Sequence, residues 1–547
     1  MEILYVSRFE VALATVALVS MAPVGCSQKS SDVSPAGPTG SASAAAGSAA
    51  PAASVAAGPV GSGAGAARAD KAGGSWSSPP MMAQPPSSGS RLGALGWEVS
   101  VRERPSDKAK VLGYLRAGAI VRAGATPVGR DGCSAGWYQV EPDGYVCADP
   151  SNATTDVNHE VLRAFTRRPD TSARMPYAYG IVRRGGPVFS RLPTLAQAAA
   201  TEPGLDDRMK EWLGATGEDG PGFRAEHWLA GRTSPDAATL WAAHTTAEVP
   251  WFLADGRAPP VNLSGYPPAS AEGIVLARTK HHNGFAFVDS AVSEGRRYAI
   301  STQLFLVPVD RLRPIEGSGF HGVEIPGDIS FPFALVRRAG PLMKLDGKRL
   351  VRERDVERRA ALKLSGKQKK FGDRLYFETA DGLWISDQHA SRLDPAKKMP
   401  KWGKQGEHWL DVNISKQTLV AYDGTRAVYA TLVSTGEAGL GDPESSKSTK
   451  RGIFRVHAKH LTATMDSDVV GEEFELRDIP YVQYFEGGYA LHAAYWHDDF
   501  GTPRSHGCIN LAPEDARRLF FFTEPALPEG WHGVRRALTG SVVFVHP

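Results

Sequence analysis

Residues 489–522 read YALHAAYWHDDFGTPRSHGCINLAPEDARRLFFF, a stretch that gathers His492, His497 and His506 around Cys508. A cysteine that attacks a carbonyl needs a neighbour to generate or stabilise its thiolate, and imidazole suits that task near neutral pH. All three histidines are candidates on that ground. His506 lies two residues before Cys508, so in an extended segment both side chains project to one side. Gly507 between them allows a tight turn that brings backbone N–H groups towards a developing oxyanion. Downstream, Pro513, Glu514 and Asp515 read as the first turn of a helix. Cys508 would then precede the positive end of a helix dipole, which lowers a thiol pKa.

Working outward, WLDVNISKQTLVAYDG at 409–424 alternates as a half-buried strand pair turning at Asp423 and Gly424, and GSVVFVHP at 540–547 is a further strand. The cysteine therefore belongs to a β-rich carboxy-terminal segment. Two blander readings stand beside the nucleophile: an inert buried thiol, or a zinc site of His492, His497, His506 and Cys508. The spacing fits neither a zinc finger nor the HExxH pattern. His497 and Asp498 read as a loop hydrogen-bonding pair outside the site. Tyr481, Tyr484, Phe485, Tyr489, Tyr495 and Trp496 read as strand and core packing.

The string SHGCIN at 505–510, with His492 placed 13 positions before Ser505, resembles the signature of the L,D-transpeptidases, the YkuD-type family. V-S-T-G at 433–436 and G-I-F-R-V at 452–456 extend the resemblance over residues 405–547. It implies a mainly β, multidomain protein with a β-sandwich-like catalytic domain carrying small helices. It further implies Cys508 as nucleophile, His492 as base, and Ala493 as the residue whose backbone carbonyl orients the imidazole. Ser505, His506 and Gly507 would support the site and its oxyanion hole, and Asn510 takes a substrate-binding position. In that family the cysteine attacks the carbonyl of the third residue of a peptidoglycan stem peptide, displaces D-alanine and passes the acyl group to an amine. A stem amine gives a cross-link, a protein amine gives anchoring, and water gives an L,D-carboxypeptidase. No cofactor and no metal is implied. Ala493, the Lys450–Arg451 pair and the short interval between His492 and Ser505 depart from the usual pattern and bear on substrate fit. A non-catalytic peptidoglycan-binding lipoprotein is the reading from another class; the intact His492 and Cys508 argue against it.

With 547 residues the chain is long enough for several packed cores. Its 62 Lys and Arg against 59 Asp and Glu leave a formal +3, far from the excess that a polyphosphate partner favours, so nucleic acid is not an expected partner. Residues 1–26 carry Arg8, an apolar run at 11–24 and then Gly25 and Cys26, and read as a secretory signal ending at a lipidation site. V-G-C at 24–26 resembles the bacterial lipobox, which implies a lipid on Cys26, a membrane anchor and a periplasm-facing place in the cell envelope. An ordinary cleaved signal peptide and a retained anchor stay open, although the run is short of the ~20 residues that span a bilayer. Residues 27–91 collapse to Ala, Gly, Ser and Pro, the composition of a disordered tether with a reach of about 45 Å.

Residues 92–150 show short alternating apolar segments and resemble a bacterial Src-homology-3-like barrel through V-R-E-R-P-S, L-R-A-G-A-I-V, G-W-Y-Q-V and D-G-Y-V. Such barrels bind or position against cell-wall peptides, and a spacer without ligand is the equal alternative. Export directs Cys133 and Cys147 towards a disulfide between neighbouring strands and leaves Cys508 unpaired. Residues 151–400 form a β-rich region with a weak internal duplication: YGIVRRGGPVF at 179–189 echoes FALVRRAGPLM at 333–343, and RRYAISTQLFLV at 296–307 echoes DRLYFETADGLWI at 373–385. An insertion at 192–214 patterns as helix, and the arginine pairs at 183–184 and 337–338 read as solvated strand residues.

Overall fold

In the computed structural model, which describes residues 88–214, 249–269, 273–467 and 474–547, the chain is mainly β. Cys26, the signal segment and nearly all of the 27–91 tether lie outside the described residues.

The carboxy-terminal domain is a pair of facing sheets. The strands Arg426–Leu432, Thr418–Asp423, His408–Asn413, Val542–His546 and Gly452–Arg455 lie side by side in one, and the last strand of the chain runs parallel to His408–Asn413. Val323–Glu324 completes its other edge, so a segment before the domain pairs with Tyr429 and Ala430. The second sheet holds Ala458–Ser467, Phe474–Glu486, Tyr489–Ala493, Ile509–Leu511 and Gly533–Arg535. Alternation decides which side chains meet: Leu410, Val412, Leu419 and Val543 from one sheet pack against Tyr481, Leu491, Ile509 and Leu511 from the other, with Leu519 and Phe520 of the helix Pro513–Phe522 in the same core. Pro513 starts that helix where no N–H partner is needed. Lys459, buried, donates to the carbonyls of Phe520 and Thr523 and so closes its carboxy-terminal end.

Ahead of this domain lie three copies of one seven-strand unit, in residues 91–154, 178–315 and 333–393. In each, counting strands in chain order, the first pairs with the fourth and seventh, the second with the third and sixth, and the fifth with the sixth, all antiparallel. The fourth and fifth also pair in the second and third units, and in the first they meet at the bridge between Ala123 and Val140. The sequence echoes fall on equivalent elements: V-R-R-G-G-P and V-R-R-A-G-P both link the first strand to the second. The first unit, residues 91–154, shares the pairing and lacks the echo, so the repeat is threefold where the sequence suggests two. The 192–214 insertion is helical, as Leu195–Thr201 and Leu205–Gly214. Thr194 caps the first of these helices in a capping box with Gln197.

The first two units continue the second sheet of the carboxy-terminal domain. Gly113 pairs with Val534 and Gly284 with Leu476. At the first of these joints a Cβ on Gly113 would lie 2.2 Å from the Gly533 carbonyl oxygen, so the backbones approach as closely as only glycine permits. Cys133 and Cys147 are joined, with Cα atoms 5.8 Å apart. Cys147 ends the strand Tyr145–Cys147, but Cys133 sits in the loop before Trp137–Gln139, so the bridge ties a loop to a strand rather than two strands.

Candidate active site

The strands Tyr489–Ala493 and Ile509–Leu511 run parallel and side by side, with His492 opposite Asn510. Leu491 and Ala493 on one strand, and Ile509 and Leu511 on the other, point into the core between the sheets. Strand alternation then turns His492 and Asn510 to the opposite face, the side on which Ala490 and Cys508 pack. His492 and Cys508, 16 positions apart in sequence, thus share one face because the apolar residues of the two strands share the other. Both Cys508 and His492 are 2% exposed.

The His492 Nδ1 lies 3.3 Å from the Ala493 carbonyl oxygen. A carbonyl only accepts, so the ring proton sits on Nδ1 and Nε2 keeps its lone pair. Burial pushes the pKa of His492 down to about 4; the Ala493 carbonyl pulls it up and the charge of His497 pushes it further down. The imidazole is therefore neutral at pH 7, the state that a base requires. Trp496 stacks against it at 5.7 Å between ring centres.

The turn carrying Cys508 is held from several sides. Ser505 Oγ donates to the Cys508 carbonyl and accepts from the Gly507 N–H at 3.1 Å, which fixes the loop from within. Gly507 has φ of +130°, and a Cβ there would lie 2.8 Å from the Tyr489 ring, so the position demands glycine on two counts. V-S-T-G at 433–436 forms the other wall: Ser434 exchanges backbone bonds with Asn510, and the Thr435 carbonyl accepts from Ser505 N–H. Thr449 Oγ1 donates to the Gly507 carbonyl at 2.8 Å and accepts from Gly436 N–H. Cys508 Sγ points to the Gly488 carbonyl oxygen, 3.7 Å away.

Some expectations shift. The chain bends through 506–508 rather than running extended, and the half-buried His506 stacks on Phe474 with centres 5.9 Å apart. The strand Ile509–Leu511 separates Cys508 from the helix, so the helix dipole does not begin beside the thiol. His497 and Asp498 are not a pair. Arg358 and Arg359 of the third unit hold Asp498, whereas His497 Nε2 lies 3.1 Å from the Asn510 amide. Its Nδ1 lies 3.3 Å from the Asp499 N–H, and the atom of Asn510 that faces Nε2 is the amide nitrogen. His497 and Thr449 are the site residues that sequence reasoning missed; the Ser448–Thr449 pair before Lys450 was the available signal for the second. Among the described residues, the histidines around Cys508 do not converge as a three-ligand group; Cys133, Cys147 and Asp149 lie together, but both thiols are spent in the disulfide.

Residues 407–544 match the model of the YkuD family, the L,D-transpeptidase catalytic domain. The Bacillus subtilis (strain 168) protein YciB, whose name assigns it to the L,D-transpeptidases, is 26% identical in an alignment of 143 residues that covers 21% of this chain and 61% of the relative. The chain thus spans about three fifths of that relative's length. Among solved structures, an L,D-transpeptidase from Mycobacterium smegmatis is similar at 18% identity, covering 32% of this chain and 67% of that one, with a TM-score of 0.21. The catalytic domain of an E. faecium L,D-transpeptidase is similar at 21% identity, covering 26% of this chain and 98% of that one, with a TM-score of 0.20.

Proposed function

We propose that this L,D-transpeptidase-family catalytic domain works as a cysteine-dependent transpeptidase on peptidoglycan stem peptides, through a thioester on Cys508. The observation that carries the reading is the placement of His492 and Cys508 on one face of two paired strands, with the His492 Nε2 lone pair unspent on the backbone. Nε2 takes the Cys508 proton, the thiolate adds to the donor carbonyl, and the same nitrogen returns the proton to the departing D-alanine amine. An acceptor amine then attacks the thioester and loses its proton to Nε2, which restores the free thiol. The oxyanion forms at the turn through Gly507 and Cys508, which Ser505 holds in place by accepting from the Gly507 N–H. The amine of a second stem is the acceptor that gives cross-links, and a protein amine gives wall attachment. We place the enzyme on the periplasmic side of the envelope, held by a lipid on Cys26.

Product analysis tests the reading. Tetrapeptide muropeptides incubated with the protein should yield D-alanine together with new dimers, both absent with Cys508→Ala; D-alanine without dimers would make the protein a carboxypeptidase. The lowered His492 pKa sets a pH limit. Below about pH 4 the base is protonated, so kcat/KM should hold from about pH 7 to 5 and fall with a midpoint near 4. A midpoint near 6.5 would show a base that titrates as if exposed.

A further inference from the structure

A cavity of about 320 Å³ opens where the first unit, the second unit and the catalytic domain meet, and the catalytic pair is not in its wall. That size is at the low end for small-molecule sites, and domain junctions are where such sites concentrate. Its wall is largely apolar and aromatic, with Trp97 from the first unit, Phe165 from the connector and Trp531 from the catalytic domain.

The charged groups in this wall do not balance. Arg116 is matched: it bonds Asp478 and Thr462 and lies over the Trp97 ring at 3.9 Å. Asp478 is further satisfied by Thr302 and Thr462. Arg168 is half-buried, donates to the Gly118 carbonyl at 3.1 Å, and has no carboxylate partner among the described residues. Burial lowers its pKa, the mark of a guanidinium charge that its surroundings do not offset. The other charged groups in the wall, Arg167 and Glu529, are solvent-exposed and opposite in sign, so they balance each other. A guanidinium fork in an aromatic-walled recess is built to receive a planar anion bidentately, and one unmatched positive charge calls for one negative charge.

We propose that this cavity is a second ligand site, separate from Cys508, which binds a monocarboxylate with an apolar body through Arg168. Two parallel N–H donors of Arg168 hold the carboxylate, and the aromatic wall covers the rest of the ligand. Because the site is fixed by three parts of the chain, binding there draws the first unit and the catalytic domain together.

The test is a tryptophan-fluorescence titration of the full chain with N-benzoyl-D-alanine and with its carboxamide. The expected result is saturable binding of the acid, at least tenfold weaker binding of the amide, and at least tenfold weaker binding of the acid to Arg168→Gln, with Arg168→Lys in between. Cys508→Ala should bind as the parent does, and Arg168→Gln should keep its thermal midpoint and its reaction at Cys508. These readouts separate the site from the transpeptidase reading, since either can fail alone. Equal binding of acid and amide, no saturation, or an unchanged affinity in Arg168→Gln would overturn the proposal.

Discussion

The second and third seven-strand units share every strand pairing and use charge in opposite ways. In the second, Arg296 bonds Glu202 at 2.6 Å and Asp310 at 2.9 Å, and Arg311 joins Glu202, with all four side chains at most 9% exposed. In the third, Arg352 pairs with Asp355 and Arg354 with Asp381, all four side chains open to water. Topology therefore does not set what an ion pair contributes; the solvent around it does. A buried cluster is cut off from water and fails badly when one member is removed. Exposed pairs exchange with water and salt at small net gain. The difference follows from the inserted helices at 192–214, which bring Glu202 over the second unit, whereas residues 333–393 of the third carry no inserted helix.

Replacing Arg296 by Met should give the largest effect, because Glu202 and Asp310 lose a shared partner inside the fold: about 3–5 kcal/mol of stability by denaturant titration. A loss under about 1 kcal/mol would mean that water reaches the cluster and would break the contrast. Asp515→Asn is intermediate. Asp515 is fully buried and accepts from Gly322 N–H, Tyr429 and Thr431, so an amide there faces a donor with a donor. The expected cost is about 1–3 kcal/mol. Since Gly322 lies in the segment that edges the catalytic sheet, hydrogen exchange should quicken around Val323–Glu324 first. Arg354→Ala, in an exposed pair of the third unit, should change stability by less than about 0.5 kcal/mol.

The catalytic stretch was legible because its chemistry is local: histidine, glycine and cysteine lie within one short run, and the apolar residues between them alternate as strands do. His497 was passed over because its partner, Asn510, becomes a neighbour only when two strands pair. The expected dipole effect failed on three residues, Ile509–Leu511, which form a strand that no turn signal announces. The threefold repeat was half hidden for a related reason. What the three units keep is hydrogen-bonding order, and backbone groups leave no trace in side-chain identity; the V-R-R-x-G-P echo survives in two copies and is absent from the first. Val323–Glu324 is legible in neither pattern nor length, since two residues acquire strand geometry only from the edge that they complete.

The central claim is that Cys508 carries an acyl group passed to it with the help of His492. Intact-protein mass spectrometry after brief mixing with a stem tetrapeptide tests it most directly. The account predicts a mass increase equal to the tripeptide acyl group on the parent protein, its loss on adding an acceptor amine, and no adduct on Cys508→Ala. Consumption of the donor with no adduct at any time, or an adduct that persists in Cys508→Ala, would contradict it.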